Sequence, residues 1–153
     1  MSLVFRNRPA LVAYLTCGDP DLGTTREVAL AAISAGAEVI ELGVPFSDPV
    51  ADGPVIQRAS ERALHNGVSL KDVLKLAKEI RRESDAGLIV FSYLNPIMRM
   101  GVDKFALASA DAGIDGALVT DLPVEEADEY LRTCADEILR RCSLPLLPAP
   151  TSA

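Results

Sequence analysis

Metal-binding side chains are scarce in this sequence. Among its 153 residues there is one histidine, His65, and three cysteines, Cys17, Cys134 and Cys142. No two cysteines stand in a CxxC spacing, so no metal centre is expected. An odd, sparse set also argues against a disulfide framework and fits reduced thiols in a cytoplasmic protein. Long apolar runs are missing too. No segment reaches the ~20 apolar residues that a membrane helix needs. The opening MSLVFRNRPA carries two arginines but no apolar stretch of signal-peptide type. Positive charge is in deficit, with 15 Lys and Arg against 22 Asp and Glu, a net −7. That argues against nucleic acid or an anionic membrane as the main partner, because both reward basic patches. An anionic substrate stays open, since helix N-termini and loop amides hold phosphate without net positive charge. What remains is 49% hydrophobic and 24% charged residues, the mix of one soluble domain with a real core.

The apolar residues fall into a repeating pattern. ALVAYLT (10–16) is a β-compatible run that ends in the turn residues CGDPD. TTREVALAAISAG follows, with Thr24 and Glu27 spaced as a capping box. Val28, Ala31, Ala32 and Ala35 share one helical face, and Gly36 stands where a helix stops. AEVIELG (37–43), GLIVFSY (87–93) and DGALVTD (115–121) read as strands. SLKDVLKLAKEIRRES (69–84), VDKFALASADAG (102–113) and VEEADEYLRTCADEILRR (124–141) read as helices. Such alternation predicts a parallel sheet with helices outside it, and near-continuous apolar strands predict that both faces are covered. Strand starts near 10, 37, 87, 115 and 144 leave gaps of 27 to 29 residues, except for one of 50. The second strand–helix connection therefore carries about twenty extra residues, at a strand C-terminus where α/β folds place function.

That insertion opens with ELGVPFSDPVADGP (41–54). Strand residues alternate faces, so Val39, Glu41 and Gly43 share one side and Ile40 and Leu42 the other. Glu41 then points to the inside of the sheet's curve. Partial desolvation there raises a carboxyl pKa toward the value a general acid or base needs. An ion pair or a solvated strand-end acid is the structural alternative. Asp48 and Asp19, both next to proline, read as turn residues. The loop that bears Asp52 starts right after the strand of Glu41 and can fold back over it. Asp121 closes the fourth strand, as a loop anchor or as a site residue. Tyr14, Phe91 and Tyr93 suit either a core or an apolar pocket for a flat substrate. His65 reads as a surface residue.

Four segments, PALVAYLTCGDPD, ELGVPFSDPVADGPVIQRAS, FSYLNPIMRMGVDKF and LVTDLPVEEADEY, resemble the tryptophan synthase α-subunit family in order and spacing. The resemblance implies a (β/α)8 TIM barrel that cleaves indole-3-glycerol phosphate, by a retro-aldol reaction, to indole and glyceraldehyde 3-phosphate. It implies Glu41 as the strand-two acid/base and Asp52 as the loop aspartate beside the ring N–H. Tyr14, Phe91, Tyr93, Leu118 and Asp121 match positions around the indole pocket. Tyr14 stands where the family often has Phe. Loop 44–60 resembles the segment that faces the β subunit, which implies an α2β2-type hetero-oligomer. In that complex pyridoxal phosphate belongs to the partner, and this chain is expected to hold no cofactor and no metal. Another phosphate-using barrel, of the pentose-phosphate epimerase type, predicts histidines at strand ends, which this sequence does not have.

A (β/α)8 barrel usually takes ~250 residues. Four βα units are legible, followed by LPLLPAPTSA, which resembles the family's fifth strand and its APTS turn but carries Pro145 and Pro148 within it. The expectation is a single incomplete barrel domain, 1–153, truncated after strand 5 and lacking the phosphate-holding loops of later strands. Open sheet edges would then favour dimers or aggregation. Two functions follow: a lyase built on Glu41 and Asp52, or an inactive fragment that keeps only the β-subunit surface.

Overall fold

The computed structural model describes residues 9–122. The helix expected at 124–141 and the strand expected near 144 lie outside them. Nine elements alternate along the described chain: β1 (Val12–Thr16), α1 (Leu22–Ser34), β2 (Val39–Gly43), α2 (Pro54–His65), α3 (Leu70–Arg81), β3 (Gly87–Ser92), α4 (Leu94–Met100), α5 (Val102–Ala112) and β4 (Gly116–Val119). The strands are all parallel and lie in sequence order, β1-β2-β3-β4. Sequential parallel strands joined by helices are the βαβ arrangement that the sequence pattern predicts. The helices bury one face of the sheet. Ile40 and Leu42 of β2 and Leu88 and Val90 of β3 are fully buried there, with Val73, Ile80 and Phe105 from α3 and α5. Each such side chain contributes about 1.5–3 kcal/mol on burial, and this layer holds the opposite face in place.

Local chemistry explains most helix boundaries. Ser69 and Asp72 close a reciprocal capping box at the start of α3, and Val73, Leu74, Leu76, Ala77 and Ile80 are all buried as the 3.6-residue period requires. Gly113 ends α5 in the left-handed conformation, φ 75°. The start of α1 differs from expectation. Asp21, not Thr24, is the cap. Its carboxylate accepts from Thr24 N (2.8 Å) and from the Thr24 hydroxyl, because aspartate three residues earlier satisfies the free N–H groups equally well. The buried face of α1 shifts with it: Thr25 and Ala29 are buried while Val28 is 45% exposed.

Two helices lie outside the elements that the sequence reading predicts. α2 occupies half of what reads as a long loop, and α4 follows β3 directly. In α2, Pro54 takes the first helical position, where its missing N–H costs nothing. The same proline, preceded by Asp-Gly, reads as a turn when only the sequence is seen. Arg62 of α2 grips Asp19 with two hydrogen bonds, 2.8 and 2.7 Å, and so ties this helix to the β1–α1 turn. The guanidinium holds the Asp19 carboxyl below its usual range. Cys17, fully buried, has its thiol pushed up to about 12 by burial. Among the described residues no helix is long and apolar enough to cross a membrane, and no three His, Cys, Asp or Glu side chains are grouped to hold a metal ion.

Candidate active site

The register of the sheet assembles the candidate site row by row. Tyr14, Glu41, Ile89 and Gly116 are neighbours across the four strands. Two residues further along come Thr16, Gly43, Phe91 and Leu118. Both rows point away from the helices, because the intervening positions carry Ile40, Leu42, Leu88 and Val90 into the helix-covered core. Glu41 is half-buried on this inner face, and burial alone raises its carboxyl above the ordinary value for glutamate. Among the described residues no ion pair or hydrogen bond engages its carboxylate, so the ion-pair alternative has no support there.

Tyr14 and Phe91 meet edge to face over β2, ring centroids 5.2 Å apart. They are two strands apart, and the residue between them is Gly43. A Cβ built there would fall 2.3 Å from the Tyr14 hydroxyl oxygen and 2.6 Å from its ring. Glycine is needed at this position for space, to let the tyrosine lie across the strand. Gly43→Ala is therefore expected to displace the Tyr14 ring and to cost about 1–3 kcal/mol as overpacking. Denaturant midpoints measure it, and the same substitution made in a Tyr14→Leu background should cost much less.

Asp52 reaches this face from the loop that follows β2. The loop begins pinned to β3, where Val44 N donates to Phe91 O (2.9 Å), and it turns on Asp52 N donating to Pro49 O (3.0 Å). Tyr93, only 3% exposed, stands at its centre. The Tyr93 hydroxyl accepts from Ala51 N (2.9 Å) and donates to Asp52 Oδ2 (3.2 Å). Its ring packs against Phe46 at 5.1 Å. Burial raises the Tyr93 phenol; the Ala51 amide and the nearby Thr120 hydroxyl act the other way, and the Asp52 charge adds to the rise. Burial also raises the Tyr14 phenol, opposed by the Thr16 hydroxyl and reinforced by Asp52. Asp52 thus sits within electrostatic reach of Tyr14, which is itself Glu41's neighbour across the sheet.

The structure gathers Tyr14, Glu41, Phe91, Leu118, Asp52 and Tyr93 around one face. Asp121 serves the backbone instead. Its Oδ1 accepts from Leu94 N (2.7 Å) and holds the first residue of α4. Asp48 is exposed in the loop and its carbonyl accepts from Val50 N, as a turn residue does. His65 ends α2 on the surface. Sequence reasoning does not single out Phe46 or Ala51. Nothing in their types marks them, since one acts by ring contact and the other by its backbone amide. Cavities of about 450 and 480 Å³ lie between residues 44–49 and the helices α2, α3 and α4. Neither is lined by Glu41 or Asp52.

The family model of the tryptophan synthase alpha chain matches residues 2–152. The chain belongs to that family. It is 51% identical over 146 residues to the tryptophan synthase alpha chain of Solibacter usitatus, covering 95% of this chain and 54% of the relative. To that of Marinobacter nauticus it is 49% identical over 148 residues, covering 96% and 54%. Among solved structures it is similar to the tryptophan synthase subunit alpha of Legionella pneumophila, with a TM-score of 0.84, 41% identity, and coverage of 90% of this chain and 51% of that one. It is also similar to a chain in a study of the Pyrococcus furiosus tryptophan synthase a2b2 complex, with a TM-score of 0.79 and 44% identity, covering 84% and 51%. The chain spans about half the length of the curated relatives it matches. The parallel four-stranded sheet with its helices is accordingly part of a (β/α)8 barrel.

Proposed function

We propose that this chain carries the proton-transfer machinery of an indole-3-glycerol phosphate lyase, acting in tryptophan biosynthesis in the cytoplasm as a single barrel-type domain. The observation that supports this most is the meeting on one sheet face of a half-buried Glu41, with no ion pair among the described residues, and a loop-borne Asp52, each a neighbour of Tyr14. Cleaving the bond between the indole ring and its glycerol side chain requires protonation at C3, which leaves positive charge on the ring nitrogen. Asp52 accepts the ring N–H and offsets that charge. Glu41 moves the protons at C3 and at the glycerol hydroxyl. Tyr14, Phe91, Tyr93 and Leu118 provide the apolar enclosure for the ring, and Asp121 fixes the loop at its rim. These steps are proton transfers, for which two carboxylates of different surroundings suffice.

Indole release from indole-3-glycerol phosphate tests the proposal. Asp52→Asn is expected to lower turnover by ~10²–10³-fold, the usual loss for one aimed electrostatic partner. Equal release by both proteins, or none by either, would end it for this chain. A second reading, an inactive chain that retains a β-subunit surface, is favoured by one observation. Val50 and Val55 on the loop and α2 are 76% and 69% exposed, with Met98 of α4 58% exposed, apolar side chains of the kind that a partner covers. Co-sedimentation with a tryptophan synthase β subunit, which would carry the pyridoxal phosphate, separates that reading from the first.

A further inference from the structure

Asp52 needs an orientation as well as a location. A carboxylate has two oxygens, and only one of them can face a ring N–H at the geometry that a strong hydrogen bond requires. The structure fixes which. A phenol has one proton to give. The Ala51 N–H can only donate, so the Tyr93 oxygen accepts there and its own proton goes to Asp52 Oδ2. No other hydrogen bond reaches the Asp52 carboxylate from the described residues, so Oδ1 is the less occupied of its two oxygens. The phenol cannot wander, because Tyr93 is 3% exposed and its ring is packed on Phe46. The backbone on both sides of Asp52 is also tied, by Ala51 N to Tyr93 and by Gln57 Nε2 to Asp52 O (2.8 Å).

We infer that Tyr93 is a positioning residue. Its phenol clamps Ala51 and Asp52 Oδ2 together and so presents Asp52 Oδ1 to the ring N–H of an indole-type substrate. This rests on the lyase reading, and the inference adds to it the residue that sets specificity for an unsubstituted ring nitrogen. Tyr93 does not touch the reacting atoms; it acts through Asp52.

Two measurements on the whole chain test this, with Tyr93→Phe, which keeps the ring on Phe46. The first needs no ligand. Amide hydrogen exchange at Ala51 should quicken by ~5–10-fold in Tyr93→Phe, as for one lost hydrogen bond, while exchange in the core strands is unchanged. The second uses indole and 1-methylindole as probes, followed by their own fluorescence, since the chain has no tryptophan. The unsubstituted ring should be preferred by ~10-fold, the worth of a charge-assisted hydrogen bond. Tyr93→Phe should reduce that preference by ~3-fold or more without weakening 1-methylindole. An unchanged preference, or equal weakening of both probes, would overturn the inference, because a merely structural tyrosine damages the pocket for both. If neither probe binds the parent chain, the lyase reading fails, and Ala51 exchange decides alone: faster exchange supports the clamp and unchanged exchange overturns it.

Discussion

Glu41→Gln is expected to lower indole release from indole-3-glycerol phosphate by ~10²–10⁴-fold, the usual contribution of a positioned acid or base. Glutamine keeps the shape and the hydrogen-bonding reach of the side chain but cannot exchange a proton at working pH. The loss should fall on kcat, with KM little altered, since the residue acts on developing bonds and the ring is held by others. The pH profile gives a sharper reading. Burial lifts the Glu41 carboxyl above its ordinary range, so the acid limb of kcat/KM should lie at a higher pH than a free glutamate would give, and it should vanish in the variant.

The same substitution should leave the fold at least as stable at neutral pH. The sign follows from proton counting. Between its unfolded and its raised folded pKa, Glu41 binds more protons in the native chain than in the unfolded one. Stability therefore falls as pH rises through that window, and the cost persists above it. Glutamine removes this dependence. Going from acid to neutral pH, Glu41→Gln should therefore gain more stability, or lose less, than the parent in denaturation series. A variant that lost activity by losing stability instead would mark Glu41 as structural.

The sheet is legible in the sequence because its apolar runs are short, regular and bounded by turn residues: β2 and β3 fall where AEVIELG and GLIVFSY place them. Face alternation alone then puts Glu41 on the inner side, where the register of the strands also has it. What the sequence hides is tertiary in origin. The α2 helix begins in Asp-Gly-Pro, whose turn chemistry dominates a local reading, and its buried residues are small, Ala59, Ser60 and Ala63. The hold on Asp52 is hidden for a different reason. It depends on a tyrosine 41 positions away and on a backbone amide, and neither leaves a pattern in the chain. The orientation of Tyr14 likewise depends on the absence of a side chain at Gly43.

Arg81→Met should destabilise the chain by about 3 kcal/mol, toward the lower end of what breaking a buried ion pair costs. Arg81 leaves the end of α3 and lies over Gly113, whose Cβ position would be 2.7 Å from the arginine stem. Its guanidinium donates to Gly113 O (2.9 Å), Ala86 O (2.8 Å), Ser84 O (3.2 Å) and the Asp115 carboxylate. Asp115 also accepts from Leu88 N (3.0 Å), and its own amide donates to Leu88 O (2.8 Å). One arginine and one aspartate thus join α3, the start of β3 and the turn into β4. The side chains are 22% and 11% exposed, so solvent reaches the arginine and moderates the loss. Methionine preserves most of the volume but leaves three carbonyls without their donor and Asp115 without its cation. A fall of roughly 6–12 °C in the melting midpoint would follow for a chain of this size. Asp115→Asn in the same background should recover part of it, because the amide still accepts from Leu88 N and no buried charge remains. A double-mutant cycle by thermal melting isolates that coupling, and additive losses would show that the ion pair does not act as the tie the geometry describes.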